Sequence, residues 1–497
     1  MPVWHGKTDL GALRAVAEAI AGRGGRLASL WGADERDRGA GFALHAAFVM
    51  ESVLIWLEVP LSRDRPVYPD LSDIFLPANR MQRGLRDLLG IKAEGAADER
   101  PWVRHGAWRP DEFPLRRDLA PSGTNENRVE SYPFVQVQGD GVHEIPVGPV
   151  HAGIIEPGHF RFSIVGEKVL RLEERLGYVH KGIDRRFEGM DVPDGARLAG
   201  RVSGDSTVAY AWACAMATES IAGVTPPPRG LWLRALFLER ERIANHLGDL
   251  GYLGNDGGLA FGLAQFMRLK EDVLRVNARL FGHRYLMDRI VPGGVACDCD
   301  AAAADALAAQ GIDLEREVRK LRDIYDDHAG LQDRFLTCGR LEPSLAAQLG
   351  VIGLAGRASG QSWDARVDPS HEPYDQLGVR ITLARAGDVA ARVAVRFDEI
   401  FESLRIVRVI LEQMPSGPIT VPVPDRLTGR ALGWVEGWRG EVIVALDFED
   451  GRIRRGHAHD PSWQNWPAIE HAVIGNIVPD FPLINKSFNL SYSGADL

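Results

Sequence analysis

Residues 231–250 read LWLRALFLERERIANHLGDL, and their pattern predicts the central element of the fold. The large apolar residues lie on one stripe of a helix, with charged residues elsewhere: Leu233, Leu236, Phe237, Ile243 and Leu247. On the rest of this helix, the spacing of four polar residues allows their side chains to pair: Glu239, Arg242, Asn245 and His246. We therefore predict a long helix over 230–250 that carries a structural ion-pair network.

The sequence on either side of this helix predicts a mainly helical domain over residues 146–497, with small β-sheets near its two ends. Helical patterns also cover 199–222, 261–283, 301–325 and 387–413. Strand-like alternation occurs at 159–171, and residues 440–455 resemble a hairpin with its turn at Glu449-Asp450-Gly451.

The first 120 residues read as a separate small α/β domain. Leu44–Leu61 is rich in β-branched and large apolar residues, which predicts paired strands, and MQRGLRDLLGI at 81–91 predicts a helix. Polar sequence at 121–145 predicts a linker. The predicted fold class is therefore α+β: a small α/β domain (1–120), a linker (121–145) and a large mainly helical domain (146–497).

Composition excludes several classes of protein. The length of 497 residues predicts at least two domains, and the net charge of -10 argues against nucleic-acid binding. The 4 cysteines form no Cys-x-x-Cys pair, so a disulfide scaffold or zinc ribbon is not expected. We find no secretory signal and no apolar run of about 18 residues. We therefore expect a cytoplasmic chain that reaches a membrane only through partners.

Four ordered stretches carry a resemblance to a known family. They are YPDLSDIFLPANRMQRGLRDLLGI at 68–91, GPVHAGIIEPGHFRF at 148–162, LRALFLERERIANHLGDL at 233–250, and the C-terminal sequence from PSWQNW at 461 onward. The last three resemble the large subunit of nickel-iron hydrogenases and the matching complex I subunit. The first resembles the small partner subunit of complex I. Their fusion resembles the large subunit of membrane-bound, energy-converting hydrogenases of the formate hydrogenlyase and hydrogenase-4 type.

At the metal site the sequence departs from this family. The resemblance implies four thiolate ligands from two Cys-containing motifs, which correspond to RVSGDSTVAY at 201–210 and NLSYSGAD at 489–496. The four ligand positions hold Ser203, Ser206, Ser491 and Gly494. A serine hydroxyl is a hard donor that stays protonated near neutral pH, and glycine offers no donor. We therefore predict that the nickel-iron centre is absent, and we assign no metal ligand.

The resemblance nevertheless implies that residues around the metal site are retained. Glu156 corresponds to the family's proton-accepting glutamate, and Arg439 to the arginine that faces the iron. Because an arginine in a dry cavity needs an acceptor, we expect Asp205, Glu156, Glu436 or the new hydroxyls to supply one. We predict catalytic or coupling roles for Glu156, Arg439 and Asp205. They would lie in a polar cavity lined by Glu156, Ser203, Ser206, Arg439 and Ser491.

Complex I uses the same region for a quinone headgroup, which gives a second hypothesis. His151 corresponds to the first histidine of the complex I hairpin. The second falls near Ile155 or Glu156, with His159 close but shifted, and the tyrosine falls at Gly200 or an adjacent position, with Tyr210 about ten residues later. A quinone-reducing subunit would use His151, His159 or Tyr210. The simpler alternatives are structural histidines, packing or capping serines, a Glu156 ion pair with Arg439 or Arg161, and a scaffold role for the whole chain.

The resemblance also implies partners. We expect an iron-sulfur small subunit and antiporter-like membrane subunits, with this chain peripheral on the cytoplasmic side of the membrane and a role in redox-to-proton coupling. The basic runs Arg116-Arg117 and Arg452–Arg455 indicate either solvated faces or partner contacts.

Overall fold

The structure, a computed structural model, describes residues 3–118, 130–152 and 155–497. Residues 121–129 of the predicted linker therefore lie outside the described part of the chain. The last residues assigned to the linker are not a linker, because Val142–Val147 forms a strand that pairs with His159–Val165.

The N-terminal module is a four-stranded sheet covered by two helices. Its elements are strands β1 (Val3–Lys7), β2 (Arg26–Asp34), β3 (Phe42–Met50), β4 (Val53–Leu61), β5 (Val67–Pro69) and β6 (Lys92–Glu94), and helices α1 (Leu13–Ala21) and α2 (Ala78–Leu89). The sheet order is β1-β4-β3-β2, in which β1 runs parallel to β4 and the other pairs are antiparallel. Apolar residues of both helices join the core over this sheet, as the pattern at 81–91 predicts.

The large module begins and ends with small antiparallel sheets. The first consists of β7 (Val142–Val147), β8 (His159–Val165) and β9 (Lys168–Arg175), and the last of β12 (Gly429–Glu436), β13 (Glu441–Glu449) and β14 (Arg452–His459). A short pair, β10 (Ile290–Val291) and β11 (Gly294–Val295), lies between them. The predicted hairpin turn at Glu449-Asp450-Gly451 joins β13 to β14.

Helices fill the space between these sheets. They are α3 (Ile183–Arg186), α4 (Val192–Ala199), α5 (Thr207–Ala222), α6 (Pro228–Asp256), α7 (Ala260–Phe281), α8 (Ala301–Asp327), α9 (Ala329–Phe335), α10 (Pro343–Gln348), α11 (Gly353–Ala358), α12 (Tyr374–Leu377), α13 (Val389–Gln413), α14 (Ser462–Ala472), α15 (Phe481–Phe488) and α16 (Tyr492–Asp496). The stretch at 231–250 is the centre of α6, which is buried on nearly all sides. The α+β fold class is confirmed.

One predicted helix is wrong at its start. The pattern predicts a helix from 199, but α5 begins at Thr207, and residues 200–206 form a turn. Polar side chains in this turn bond to one another and to distant elements, which competes with helix formation. This break carries the predicted site residues of the first motif.

The basic run Arg452–Arg455 is not a solvated face throughout. Arg454 donates to two carboxylates of the N-terminal module, Asp37 and, at 3.2 Å, Glu35. Arg455 donates to Asp184 at 2.9 Å. Both arginine side chains are buried. These ion pairs join the sheet β12–β14 to the N-terminal module and to α3.

Candidate functional site

A polar cavity of about 470 Å³ lies where five parts of the large module meet. These parts are the segment before β8, the turn between α4 and α5, the end of α6, the turn between β12 and β13, and the α15–α16 segment. Of the predicted lining residues, Glu156, Ser203, Arg439 and Ser491 line it together with Asp205. Ser206 lies behind the wall, buried, with its Oγ 3.4 Å from Arg439 Nη1.

The centre of the cavity wall is an ion pair between Asp205 and Arg439. Arg439 Nη1 and Nη2 donate to the two carboxylate oxygens at 2.9 and 2.6 Å, a bidentate arrangement. Burial acts to raise the pKa of Asp205, but the Arg439 guanidinium outweighs it and lowers that pKa to about 2. Arg439 also donates to the Asn489 carbonyl at 2.6 Å and stacks on Trp438. Asp205 is therefore the acceptor that the buried arginine requires.

The serines of the two distant motifs meet beside this ion pair. Ser203 Oγ lies 2.9 Å from Ser491 Oγ and donates to Asp205 at 2.8 Å. Ser491 Oγ accepts the Gly494 N–H at 2.8 Å and so caps α16. A hydrogen-bonded chain thus runs from the α16 N-terminus through two hydroxyls to Asp205.

These residues do not fit a nickel-iron centre. Gly494 has no donor atom, and a Cβ at this position would lie 2.3 Å from Asp460 Oδ2. The hydroxyls of Ser203 and Ser491 are already engaged with each other and with Asp205. The cysteines lie elsewhere in the chain, and within the described ranges we find no group of three or more metal-ligating His, Cys, Asp or Glu side chains.

Glu156 lies at the exposed rim of the cavity. Its carboxylate accepts the Ser493 N–H at 3.0 Å and the Ser493 hydroxyl. The alternative of an ion pair with Arg439 or Arg161 is wrong, because Arg439 pairs with Asp205, and Arg161 pairs with Glu144 at 3.1 Å. Glu156 is thus tied to the second motif and faces solvent.

The three residues of the quinone hypothesis do not line the cavity. His151 Nε2 bonds to the Gly158 carbonyl at 2.7 Å, and buried His159 faces the Gly148 carbonyl at 3.3 Å. Tyr210, fully buried in α5, donates to Asp460 at 2.7 Å. Each residue makes a local contact of the kind expected for a structural role.

Sequence reasoning missed several residues of the site. The cavity is also lined by Lys486, Asn485 and Asp256. The amphipathic pattern of their helices does not indicate that these side chains face a cavity. Glu241 of α6 accepts the N–H groups of Val208 at 2.7 Å and Ala209 at 3.3 Å. It therefore fixes the start of α5, and burial raises its pKa to about 8.

The fold and the site together define a large subunit of the hydrogenase and complex I type, fused to a small complex I-type module. Family models agree with this class. Residues 7–125 match the 30 Kd subunit of respiratory-chain NADH dehydrogenase, and residues 256–428 match its 49 Kd subunit.

Two curated relatives and one solved structure give the same result. Formate hydrogenlyase subunit 5 of Escherichia coli is 31% identical over 95% of this chain and 85% of the relative. An NADH-quinone oxidoreductase subunit of Bacteroides thetaiotaomicron is 27% identical over 85% of each chain. A chain of an archaeal membrane-bound sulfane sulfur reductase complex has the same fold, with a TM-score of 0.68, 23% identity, and coverage of 74% of this chain and 100% of that chain.

The protein belongs to the family of large subunits found in formate hydrogenlyases, membrane-bound hydrogenases and NADH-quinone oxidoreductases. The expected resemblance is confirmed. Among the described helices, none combines the length and the apolar character that crossing a membrane requires.

Proposed function

We propose that this chain is a peripheral subunit of a membrane-associated, energy-converting oxidoreductase complex, in which the cavity couples a redox change to proton movement and does not split hydrogen. The observation that carries this proposal is the hydrogen-bonded Ser491–Ser203–Asp205–Arg439 chain, whose two serines occupy positions where the resemblance implies thiolates. In this proposal an iron-sulfur small subunit and antiporter-like membrane subunits are its partners, and it faces the cytoplasm.

The chain of polar groups has the chemistry that coupling requires. A hydroxyl can donate and accept at once, so Ser491 and Ser203 can pass a proton along their 2.9 Å contact. Asp205 is held ionised by Arg439, which keeps a fixed acceptor at the end of this chain. Glu156, at the rim, can exchange protons with solvent and contacts the second motif through Ser493.

Quinone reduction is the alternative within the same family. It requires groups that bond to a headgroup in the cavity, and His151, His159 and Tyr210 are instead bonded to Gly158, Gly148 and Asp460. The contacts of these three residues therefore favour the coupling proposal.

Two measurements test the proposal. Nickel content per chain in the complex, purified anaerobically from membranes, is expected to be near zero, and stoichiometric nickel would restore a hydrogenase. In membrane vesicles, Glu156→Gln is expected to abolish proton movement driven by the complex while assembly is retained. Glu144→Gln, which removes an exposed carboxylate on β7, is the matched control. Normal coupling in Glu156→Gln would refute the relay role.

A further inference from the structure

Behind the cavity wall, a group of ionisable side chains lies wholly inside the protein. Eight residues form what we call the buried charge cluster: Glu239, Arg242, His246, Arg357, Asp364, Arg366, Glu399 and Glu436. They come from α6, α11 and the loop that follows it, α13, and the end of β12. None is more than 3% exposed. Of the four residues predicted to pair on α6, Glu239 and Arg242 do so and His246 joins the cluster through Glu399, whereas Asn245 donates to the Asp205 and Glu241 carbonyls outside it.

One half of the cluster is centred on Glu399. His246 Nε2 lies 2.7 Å from one Glu399 oxygen, and Arg357 Nε donates to the other at 2.8 Å. Arg357 Nη1 donates to Glu436 at 2.8 Å. The second oxygen of Glu436 accepts the Ala365 N–H at 3.2 Å.

The other half is centred on Arg366. It donates to Asp364 at 2.7 Å and to both oxygens of Glu239 at 3.2 Å. Arg242 Nε lies 3.4 Å from Glu239, and the Tyr374 hydroxyl donates to Glu239 at 2.7 Å. Arg357 lies 3.4 Å from Asp364, which joins the two halves.

The charges of the cluster do not balance. Glu239, Asp364, Glu399 and Glu436 are four carboxylates, and Arg242, Arg357 and Arg366 are three guanidiniums, which remain protonated in proteins. Of the charged neighbours, Arg396 pairs with Asp249 at 2.9 Å, and Glu441, opposite Glu436 across the hairpin, pairs with Arg26. Glu241 accepts two backbone N–H groups, and because burial raises its pKa to about 8 it adds no full charge near neutral pH. An uncompensated charge in the interior is costly, so neutrality requires one additional proton.

Each of the other three carboxylates lies within 3.7 Å of two guanidiniums, whereas Glu436 contacts Arg357 alone. Glu436 and His246 are therefore the candidates to hold this proton, and the geometry favours Glu436. The imidazole of His246 uses Nε2 toward Glu399, while its Nδ1 has no hydrogen-bond partner. A second N–H there would be a buried, unpaired donor, so the neutral ring is preferred. Burial, together with the nearby Asp364 charge, outweighs Arg357 and Arg242 and raises the pKa of Glu436 to about 7.

We propose that the buried charge cluster is a binding site for a single proton, held on Glu436, whose occupancy responds to the charge of the cavity. Arg242 links the two regions, because it donates to the Glu436 and Gly437 carbonyls at 2.9 and 3.1 Å. The same turn carries Trp438, which donates to the Asp205 carbonyl at 2.9 Å, and Arg439. Negative charge added to the cavity stabilises the proton on Glu436. When that charge is removed, Glu436 releases the proton. The connection between this bound proton and energy coupling rests on the proposed function, whereas the number of protons bound by the cluster does not.

Infrared difference spectroscopy of the purified complex, without turnover, tests the proton count. Spectra at about pH 6 and about pH 9 lie on either side of the pKa of about 7 to which burial raises Glu436. The wild type is expected to show a protonated carboxyl C=O band from Glu436, beside those of other buried acids such as Glu241, that shifts in D2O and is lost at the higher pH. Glu436→Gln is expected to lack the Glu436 band and to keep that of Glu241, whereas Glu241→Gln removes only the latter. The matched control, Glu402→Gln, removes a carboxylate of α13 that is paired with Arg405 outside the cluster, and it should keep the band.

Two further variants keep the test decisive. Glu436→Asp retains an acid and should show the band at a shifted frequency, even if Glu436→Gln does not assemble. In Arg357→Met/Glu436→Gln, three carboxylates face two guanidiniums, so charge balance predicts that one proton returns on another group. An infrared difference spectrum that neither Glu436 variant alters would overturn the proposal. Loss of the band in Glu436→Gln with normal coupling in Glu156→Gln would refute the proposed coupling function alone.

Discussion

Removing the carboxylate of Asp205 should destabilise the protein, because Arg439 would lose its charged partner while remaining buried. In Asp205→Asn, two bonds between opposite charges, at 2.9 and 2.6 Å, become at most one bond from the guanidinium to an uncharged amide oxygen. Breaking a fully buried pair costs about 3–5 kcal/mol. The Asp205 side chain is 38% exposed to the cavity, so solvent screening reduces this figure. We expect a loss of about 2 kcal/mol in the free energy of unfolding.

The pH dependence gives this prediction a distinctive signature. The pKa of Asp205 is lowered from 3.8 to about 2, so its stabilising contribution is present above the unfolded value and is lost as the pH falls through the folded one. The deficit of Asp205→Asn in urea denaturation, followed by circular dichroism, should therefore be constant near neutral pH and shrink in acid.

Asp288→Asn is the matched control for this prediction. Asp288 also accepts two bonds from one arginine, Arg201, both at 2.7 Å, but the two side chains are 40% and 38% exposed. Its loss should cost about 0–1 kcal/mol. Equal stability of Asp205→Asn and the wild type at neutral pH, or equal losses in the two variants, would refute the reasoning.

Two further perturbations test the remodelled site. Gly494→Ala should lower the free energy of unfolding by about 1–3 kcal/mol, because its Cβ would lie 2.3 Å from Asp460 Oδ2; wild-type stability in urea denaturation would show that Asp460 moves freely. In Glu241→Gln, the pH dependence of stability between about pH 5 and about pH 8 should flatten. The pKa of Glu241 is raised from 4.5 to about 8, so in the wild type this group's stabilising effect is lost as the pH rises through that window. An unchanged pH profile would contradict its assignment.

The sequence predicts the fold well where the pattern is local. The apolar stripe at 231–250 is found as the core of α6, and the hairpin turn at Glu449-Asp450-Gly451 lies where turn chemistry places it. The start of α5 is not predictable in this way. Its first N–H groups are satisfied by Glu241, more than 30 residues later in the chain, and no local pattern reports such a contact.

The site is predictable to the extent that the resemblance assigns positions. It places Ser203 and Ser491 in one cavity, and the structure brings their hydroxyls within 2.9 Å across 288 residues of sequence. It does not identify which acceptor Arg439 takes, since Asp205, Glu156 and Glu436 are equivalent candidates in the sequence. The structure separates the three candidates. Glu156 is exposed to solvent, Glu436 accepts a hydrogen bond from Arg357, and Asp205 lies within hydrogen-bond distance of Arg439.

The arrangement of Arg439 bears directly on how the cavity can act. Its guanidinium donates to both Asp205 oxygens, to Ser206 and to the Asn489 carbonyl, so most of its donors are satisfied by the protein. A ligand in the cavity would meet a neutral ion pair and not a free cation.

The response of the protein to a charge placed in the cavity must then come from groups that can change protonation. The turn at 437–440 connects the cavity to such a group, because it joins Arg439 to Glu436, and Arg242 bonds to its carbonyls. Under the coupling proposal, the signal is therefore carried by electrostatics through a fixed backbone, and not by ligands to a metal.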